Sequence, residues 1–457
     1  MPLQKNQVLT LRVERLSSDG SGVAHSPDGE TVFIPGAAPG DEARVRIVKD
    51  CKRYAFGILD EVLTPSPDRI PVDCAVAGPC GGCSLRHLDY AAELRAKQEN
   101  VADAFARIGG LDVPVLPIVG SPEVNRYRNK VQFPVGVDKS GKPCIGFYAG
   151  RTHRIVPCPD CRLQPGVLNE IGNALCAFFA EKGIQPYSEE TGKGLVRHIF
   201  LRRGAHSGQI MVCLVCTCAK LPCAEELCTR LKAQFAEITT ILLNVNAKNT
   251  NVILGTETHT LYGPGYIEDT LCGVPVQLGP LSFYQVNTLA AEQLYGIAAQ
   301  YAQLTPDDLL LDLYCGMGTI GLSMAAHCRE LIGVEIVPEA IESAKANAAR
   351  MGTDVAAKSR FFCADAGQAA TRLAAEGLHP DIVMLDPPRK GCDEATLSAV
   401  VRMAPRRVVY VSCNPATAAR DAAWLEQNGY HAEKVQPVDL FPRTRHCEVV
   451  SCYTKTM

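Results

Sequence analysis

The sequence lacks the apolar segments that carry a protein to a membrane or through one. Residues 1–7 hold no apolar core of the secretory type, and no uninterrupted run approaches the roughly 18 apolar residues of a membrane span. Internal repeats and low-complexity tracts are also missing. With 47% apolar and 21% charged residues over 457 positions, the composition is that of a globular protein, which we expect to be cytoplasmic and without a membrane partner.

A general excess of positive charge is missing too, since the formal net charge is -3. This argues against a uniformly basic nucleic-acid-binding protein but leaves local basic surfaces open. Between positions 126 and 154 the sequence contains several lysines and arginines but a single acid, Asp138, and aromatic residues are interleaved with them. The basic residues are Arg126, Arg128, Lys130, Lys139, Lys142, Arg151 and Arg154. A second group contains Arg197, His198, Arg202 and Arg203. Each group either binds phosphates and stacks bases or is an ordinary solvated surface.

Cysteine, by contrast, is abundant, with 21 residues in the chain. Because no secretory feature accompanies them, we expect reduced thiols and no disulfide framework. Most fit small, buried apolar positions. Cys213, Cys216 and Cys218 adjoin a segment that predicts a strand, so we assign no metal to them.

One cysteine group has the spacing of a ligand cluster. In Cys74-x5-Cys80-Gly81-Gly82-Cys83, the glycines give the backbone freedom to wrap three thiolates around one centre. A fourth ligand is needed, and the segment 155–164 offers Cys158 and Cys161. Spacing alone leaves open which of the two it is, and whether the centre is an iron-sulfur cluster or structural zinc.

The pattern along the chain predicts three domains. Short β-rich runs separated by glycine turns predict a small closed barrel of OB type over residues 1–65, ending at a proline-rich linker. Residues 66–275 mix strands with helices over 88–108, 165–182 and 221–235, which predicts a central α+β domain. From 276 to 457 strands and helices alternate, which predicts an α/β domain with a doubly wound parallel sheet of the Rossmann-like class.

A glycine-rich loop follows the first buried strand of this last domain. Gly316 and Gly318 lie between a strand and a helix, where positions without a side chain let the backbone approach a ligand closely. Tyr314 lies in the same loop. The next strand ends at Glu335, whose carboxylate can accept both hydroxyls of a ribose. Since the loop also satisfies G-x-G-x-x-G, a nicotinamide cofactor stays open at this point.

Two further acids follow strands of the same domain. Asp365 comes after the third strand, and Asp386 ends the fourth before two prolines. The carboxyl edge of such a sheet is where ligands collect. Each acid is either a ligand contact or only a helix cap, but their shared placement favours one S-adenosylmethionine site.

A thiol and a late acid predict covalent chemistry. The apolar strand 408–412 stops at Cys413 and is closed by Asn414 and Pro415, which presents a thiol at the open end of the strand. Glu448 comes at the start of the last predicted strand. Taken singly, such residues are a structural cysteine and a surface acid; together they indicate a nucleophile and a base acting on a nucleobase.

These motifs, in this order, resemble the RNA 5-methyluridine methyltransferases of the RumA/TrmA type. The resemblance rests on the segments 282–287, 312–318, 386–391, 412–415 and 446–448. The barrel, with Val32 to Gly36, resembles the TRAM module of the ribosomal-RNA branch. The resemblance implies Cys413 as nucleophile and Glu448 as base. It also implies a methyl-donor site formed by Gln285, Tyr314, Glu335 and Asp386. By the same resemblance Cys74, Cys80, Cys83 and Cys161 hold a [4Fe-4S] cluster.

The predicted function is therefore methylation of C5 of a specific uridine in 23S ribosomal RNA by a monomeric enzyme. A thiolate that adds to uracil C6 makes C5 nucleophilic, and a carboxylate then removes the C5 proton. The target base must be unpaired or flipped. Three alternatives are a transfer-RNA substrate, amino-group methylation, and a non-catalytic iron-sulfur RNA-binding protein. Arg389 stands where amino-group methylation expects an aromatic residue, and a non-catalytic protein leaves the nucleophile and base without a role.

Overall fold

The computed structural model describes residues 3–150 and 152–456, so Arg151 of the first basic group lies outside the described residues. The chain divides into two compact units. The first contains the described residues up to position 77, residues 81–124 and residues from 385 onward; the second contains 78–80 and 125–384. No helix among the described residues is long and apolar enough to span a membrane.

The first unit begins with a closed five-stranded barrel in the order β1-β2-β3-β5-β4. The strands are β1 (Val8–Leu16), β2 (Gly22–His25), β3 (Thr31–Ile34), β4 (Glu42–Asp50) and β5 (Tyr54–Thr64). Side chains of β4 alternate between exposed and buried as far as Ile47, as expected when one face of a strand lines a core. Gly57 fits because a Cβ there would lie 2.3 Å from Cγ1 of Val45. The predicted barrel is confirmed.

Helices and a second group of strands complete the first unit. They are α2 (Tyr90–Arg107), α10 (Glu394–Met403), β19 (Arg407–Ser412), α11 (Pro415–Gln427), β20 (Tyr430–Val438) and β21 (Glu448–Lys455). Helix α2 begins at an N-cap, because the Asp89 carboxylate accepts hydrogen bonds from the amides of Ala91 and Ala92. It packs against α11. The short helix α1 spans Ala77–Cys80.

The second unit contains a seven-stranded sheet in the order β12-β11-β10-β9-β6-β7-β8. Its strands are β6 (Lys130–Val137), β7 (Pro143–Tyr148), β8 (Ile155–Pro157), β9 (Val196–Arg203), β10 (Ile210–Cys216), β11 (Ile238–Val245) and β12 (Glu257–Tyr262). Two helices, α3 (Gly166–Lys182) and α4 (Ala224–Gln234), pack on it. The strand β10 is buried along its whole length; its Cys213 and Cys216 are fully buried, and Cys216 belongs to the hydrophobic core of this sheet and its helices.

The rest of the second unit alternates strands and helices. A hairpin of β13 (Ile267–Leu271) and β14 (Val274–Leu278) precedes α5 (Thr288–Ala302), β15 (Leu309–Leu313), α6 (Thr319–Met324) and a 3₁₀ turn (Ala325–His327). Then follow β16 (Glu330–Glu335), α7 (Pro338–Arg350), α8 (Thr353–Lys358), β17 (Ser359–Cys363), α9 (Ala366–Ala375) and β18 (Ile382–Leu385). Strands β15, β16 and β17 are parallel.

The predicted α/β class is confirmed, but the strands after residue 407 are not parallel as the sequence pattern suggested. Strand β21 pairs antiparallel with both β19 and β20. The physical reason is the connection between β20 and β21, residues 439–447, which contains no helix. A parallel pair needs a crossover of a dozen or more residues, whereas a short connection returns the chain in the opposite direction.

Candidate active site

Cys413 follows the last residue of β19, and Asn414 separates it from the first residue of α11. Asn414 is the N-cap of α11, where its Oδ1 accepts a hydrogen bond from the Ala416 amide at 3.2 Å, and Pro415 occupies the first helical turn. The Asn414 amide also donates to Ser412 Oγ at 3.1 Å. The half-buried thiol is thus held in a short turn between a buried strand and a capped helix.

The segment that follows β18, residues 386–391, is fastened to the start of α11. Asn414 Nδ2 donates to the carbonyl oxygen of Arg389 at 3.0 Å, and Thr417 Oγ1 donates to the same oxygen at 3.3 Å. Gly391 has a φ of +78°, and a Cβ at this position would lie 2.5 Å from Nη2 of Arg420 and 2.6 Å from Oδ2 of Asp421. Only glycine fits this close approach in a left-handed conformation.

Asp421 is a buried hydrogen-bond acceptor that fixes the position of the segment 386–392. Its Oδ2 accepts hydrogen bonds from the Tyr410 hydroxyl at 2.5 Å and the Cys392 amide at 2.8 Å. Arg420 Nε donates to its Oδ1 at 2.8 Å. The residue therefore links β19, α11 and the 386–392 segment, and the sequence alone did not reveal it.

Glu448 lies across from Cys413. Strands β19 and β21 pair Ser412 with Val449, so the positions one step beyond that pair are Cys413 and Glu448. The Glu448 side chain is only 5% exposed. Burial, followed by the nearby Asp386 carboxylate, raises the pKa of Glu448 to about 8. Burial also raises the pKa of Asp386 to about 7. Two carboxyl groups whose pKa values lie near neutral pH are thus close to the thiol.

The groups around Cys413 have opposite effects on the pKa of its thiol. Burial raises the pKa of the Cys413 thiol, and the negative charges of Glu448 and Asp386 raise it further. Arg389 acts in the other direction through its charge and a hydrogen bond to the sulfur. The net result is a raised pKa, so the thiol of the free protein is protonated at neutral pH.

A buried ionic network holds the connection that leads to Glu448. Lys97 Nζ on α2 donates to Glu93 Oε1 at 2.7 Å and to Asp439 Oδ1 at 2.8 Å, and all three side chains are at most 2% exposed. The Arg443 amide donates to Glu93 Oε1 at 2.7 Å. Tyr90 donates its hydroxyl to Asp439 Oδ2 at 3.0 Å. The 439–447 connection is therefore tied to α2 at both Asp439 and Arg443.

In the second unit, the glycine-rich loop between β15 and α6 turns through three left-handed residues. The φ angles are +66° at Tyr314, +54° at Gly316 and +79° at Gly318. A Cβ at Gly316 would meet nothing within 4 Å, whereas one at Gly318 would lie 3.1 to 3.2 Å from three side chains. Gly316 therefore leaves open space for a ligand, and Gly318 serves the packing of the loop.

Glu335 is the last residue of β16, and Asp365 lies two residues beyond the end of the neighbouring strand β17. Glu335 Oε2 accepts the Gly316 amide at 3.2 Å, and its Oε1 accepts the Val337 amide at 3.0 Å. The structure thus brings Glu335 and Gly316 together. Asp365 is the N-cap of α9 and accepts the Gln368 amide at 3.1 Å. Asp365 therefore makes the helix-capping contact, one of the two roles that the sequence left open, and its Oδ2 takes no part in that hydrogen bond.

Gln285 lies in a segment that the side chains of Asn129 and Arg202 hold by three hydrogen bonds. Asn129 Nδ2 donates to the Gln285 carbonyl at 2.7 Å. The Arg202 guanidinium, 1% exposed, donates to the carbonyls of Gly279 at 2.9 Å and Ser282 at 2.7 Å. Phe283 within the same segment is 72% exposed. The sequence did not indicate that Asn129 and Arg202 position this segment.

The second basic group is mostly structural. Arg197 is buried and donates to the carbonyls of Asn246 at 3.0 Å and Lys248 at 2.5 Å. Burial lowers the pKa of His198 to about 4. With Arg202 similarly engaged, Arg197, His198 and Arg202 are not the solvated basic surface that the sequence allowed, because β9 lies inside the sheet.

The predicted metal ligands receive no support as a group. Over the described parts of the chain, no set of three or more histidine, cysteine, aspartate or glutamate side chains is positioned to hold a metal ion. Cys74, Cys80, Cys83 and Cys161 are each half-buried and form no disulfide. At Cys161 a hydrogen bond from Cys158 lowers the pKa to about 6. Backbone amides of residues 163 and 164 and the charge of Arg128 act in the same direction.

Known proteins resemble this chain over nearly its whole length. The family described as tRNA (uracil-5-)-methyltransferase matches residues 274–455, and the TRAM domain matches residues 2–59. An uncharacterized RNA methyltransferase of Halalkalibacterium halodurans is 43% identical over 451 residues, which are 98% of this chain and 97% of that protein. Another from Clostridium tetani is 40% identical over 454 residues, covering 99% and 98%.

A solved structure supports the same relationship. The tRNA (uracil-54, C5)-methyltransferase of Pyrococcus abyssi, determined with S-adenosyl-L-homocysteine, is 27% identical to this chain. Its TM-score is 0.78, with coverage of 98% of this chain and 100% of that one. The fold, the order of the motifs and these similarities lead to one conclusion: the chain belongs to the RNA uracil-5 methyltransferase family, whose members use S-adenosylmethionine, and it carries a TRAM domain.

Proposed function

We propose that this protein methylates C5 of a specific uridine in 23S ribosomal RNA, with Cys413 as nucleophile and Glu448 as general base. The observation that carries the proposal is the pairing of Ser412 with Val449, since it sets a thiol opposite a buried carboxyl at the end of two strands. A nucleophile and a base on one rigid sheet edge suit a reaction that adds to one carbon of a base and removes a proton from the next.

The reaction uses each side chain in turn. Cys413 gives its proton to solvent and its sulfur forms a bond to uracil C6, which moves the electrons of the C5–C6 double bond toward C5 and the O4 enolate. C5 then forms a bond to the methyl carbon of the donor, and the bond between that carbon and the donor sulfur breaks, which leaves the demethylated donor as product. Glu448 removes the proton from C5, the C5–C6 double bond forms again, and the bond from sulfur to C6 breaks. Arg389, which hydrogen-bonds the sulfur, stabilises the attacking thiolate.

S-adenosylmethionine supplies an electrophilic methyl group when it is bound. Glu335 and the open position at Gly316 fit a ribose and a closely approaching ligand. Ile336, next to Glu335, is 61% exposed and offers an apolar surface to an adenine ring. Asp365, Gln285, Tyr314 and Asp386 complete the proposed donor site. The fit rests on chemistry: carboxylates for hydroxyl and amino groups, and a glycine where a side chain would intrude.

The substrate RNA has two candidate classes. The TRAM domain match supports an RNA substrate, and the resemblance to the ribosomal-RNA branch of the family makes ribosomal RNA our first candidate. Transfer RNA is the second candidate, because a related structure with a TM-score of 0.78 is a tRNA (uracil-54, C5)-methyltransferase. Both substrates require the same chemistry, so only a map of the modified nucleotides separates them.

The barrel carries a surface suited to unpaired bases. The rings of Phe33, Tyr54 and Phe56 lie 5.6 to 5.9 Å from one another, and Tyr54 is 41% exposed. Lys49 pairs with Phe56 across β4 and β5, and Lys52 is exposed in the turn between these strands. Aromatic faces beside lysines stack bases and neutralise phosphates.

We further propose that Cys74, Cys80, Cys83 and Cys161 hold a [4Fe-4S] cluster, with no part in the methyl transfer. The support is the C-x5-C-G-G-C spacing and the surroundings of Cys161, which favour a thiolate. Iron, acid-labile sulfide and zinc are to be measured in protein purified without oxygen. Iron and sulfide in equal amounts, lost in Cys161→Ser but kept in the exposed-thiol control Cys218→Ser, are expected. Zinc alone, or no metal, would overturn the cluster.

Nucleoside mass spectrometry of RNA from cells that lack the gene tests the main proposal. Cells are complemented with the wild type, with Cys413→Ala or with the control Cys218→Ala. The proposal expects one 5-methyluridine of 23S ribosomal RNA to disappear and to return with the wild type and the control only. Loss from transfer RNA instead would select the second candidate. An unchanged map would indicate a non-catalytic RNA-binding protein.

A further inference from the structure

Lys130 at the start of β6 is a half-buried cation with no acidic partner. Its ammonium makes no hydrogen bond or ion pair with any described residue, and the groups that act on it are Arg202 and Arg128, both positive. Burial, followed by these two charges, lowers the pKa of Lys130 to about 8. A cluster of three cations without a carboxylate is unfavourable in a folded protein unless an anion joins it.

The two arginines of the cluster also retain unused donors. The Nε atoms of Arg128 and Arg202 are buried and have no hydrogen-bond partner. The two terminal nitrogens of Arg202 donate to the carbonyls of Gly279 and Ser282. Arg202 therefore adds positive charge to the cluster but has few donors that a ligand can reach. Buried donors without partners are rare in native proteins and often mark a place that a ligand completes.

The position of the cluster relates it to the segment that contains Gln285. Lys130 and Arg202 are direct partners across β6 and β9, so their side chains share one face of the sheet. Arg202 contacts residues 279 and 282 on that face. The neighbouring Asn129 bonds the Gln285 carbonyl from the same end of β6. Lys130 therefore faces the side of the sheet on which this segment lies.

We propose that Lys130, supported by the charges of Arg128 and Arg202, binds a phosphodiester group of the substrate RNA. The inference rests on the proposed function for the identity of the anion. RNA supplies a phosphate at every nucleotide. The groups proposed for the methyl donor come mainly from the β15 and β16 ends, whereas Lys130 begins a strand of a different sheet. An ammonium is suited to a phosphate as a point charge with three donors.

The test compares the binding of an oligouridylate of about 20 nucleotides to full-length wild type and Lys130→Gln by fluorescence anisotropy, between about 50 and 300 mM salt. One lost phosphate contact is expected to reduce the slope of log K against log salt by about 0.7. The affinity at low salt is expected to fall about tenfold, the usual effect of losing one charged hydrogen bond. Lys130→Arg keeps the charge and should keep the slope.

Lys142→Gln is the matched control, since this exposed lysine of the same unit has Asp138 as its neighbour; its slope should equal that of the wild type. Binding of S-adenosylhomocysteine, measured by calorimetry, should be unchanged in Lys130→Gln and also reports a folded protein. An unchanged slope, a loss confined to S-adenosylhomocysteine, or no oligouridylate binding by the wild type would overturn the inference. A protein that binds RNA as expected but transfers no methyl group would refute only the proposed function.

Discussion

At the scale of single residues, the central feature is a pair of carboxyls whose charge the protein does not stabilise. Burial raises the pKa of Glu448 to about 8 and that of Asp386 to about 7, and the pKa of the Cys413 thiol is raised as well. A neutral acid cannot accept a proton, and a protonated thiol cannot attack a base. For the roles proposed for Glu448 and Cys413, the free protein therefore holds both groups in the inactive protonation state below neutral pH.

This predicts a rate that rises with pH. Because Glu448 and Cys413 must both lose a proton, kcat/KM should increase up to at least about pH 8, with a slope above one on logarithmic axes at lower pH. Initial rates of methyl transfer to a fixed RNA, at constant ionic strength from about pH 6 to 9.5, give the profile. A profile that is flat across this range, or that falls as pH rises, would contradict the assigned roles.

Glu448→Gln gives a second readout at the same residue. The amide keeps the size of the side chain but cannot remove the C5 proton, so the bond between Cys413 and C6 should persist after methyl transfer. A covalent complex of protein and RNA should appear on a denaturing gel with Glu448→Gln and be absent with Cys413→Ala. Turnover should fall by about a thousandfold or more. Normal turnover by Glu448→Gln would exclude this residue as the base.

At the scale of elements, two glycines of one loop are expected to have different roles, one in ligand binding and the other in the packing of the fold. Gly316 and Gly318 both have positive φ, but only Gly318 has neighbours where a Cβ would go. Gly318→Ala should lower the free energy of unfolding by about 1 to 3 kcal/mol. Gly316→Ala should cost about 1 kcal/mol and weaken S-adenosylhomocysteine binding about tenfold or more. Denaturant unfolding and calorimetry measure the two effects, and equal behaviour of the variants would contradict the distinction.

The Lys97 network makes the connection between β20 and β21 depend on α2. Lys97→Met removes the cation that contacts both Glu93 and Asp439 and leaves these two buried carboxylates with Arg443, 3.6 Å from Glu93, as the nearby cation. Breaking a buried ion pair in this way costs about 3 to 5 kcal/mol. Urea unfolding should show this loss. Lys345→Met, at an exposed pair with Glu342, should change stability by less than about 1 kcal/mol; a similar loss in both variants would argue against the network.

The elements show which parts of the fold local sequence can predict. The alternation of helices and strands predicted from residue 276 onward is present in elements such as α5 and β15, because periodicity and capping are local. The predicted helix 221–235 begins late, at Ala224, since Cys223 adopts a φ of +58° and the residue before Pro222 avoids helical backbone. By contrast, the contacts of Lys97 with Asp439 and of Arg197 with Asn246 join distant positions, and no local pattern reveals them.

The site follows the same division. A strand end and a late acid carry the motifs that pointed to Cys413 and Glu448, and the register of β19 and β21 sets these two positions opposite each other; their catalytic roles stay predictions. Asp421, which holds the 386–392 segment through Tyr410 and Cys392, carries no such motif. Supporting residues of this kind depend on packing between elements, which the sequence pattern does not encode locally.

At the scale of the whole molecule, the net charge of -3 requires RNA affinity to come from restricted surfaces. The aromatic surface of the barrel, with Phe33, Tyr54 and Phe56, is proposed as one such surface and Lys130 as another. A uniformly attractive field is absent, so each surface should contribute a separable share of binding. The chemistry at Cys413 should not change when either surface is altered.

Tyr54→Ala tests this separation with steady-state kinetics. Loss of one stacked base costs about 1 to 3 kcal/mol, so KM for RNA should rise about tenfold. Because the proposed role of Tyr54 concerns binding alone, kcat at saturating RNA and KM for S-adenosylmethionine should stay constant. Val8→Ala removes another exposed apolar side chain, 50% exposed on β1 of the same barrel, and should leave all three constants unchanged. If Tyr54→Ala lowers kcat instead, the barrel takes part in presenting the target base and does not merely bind RNA.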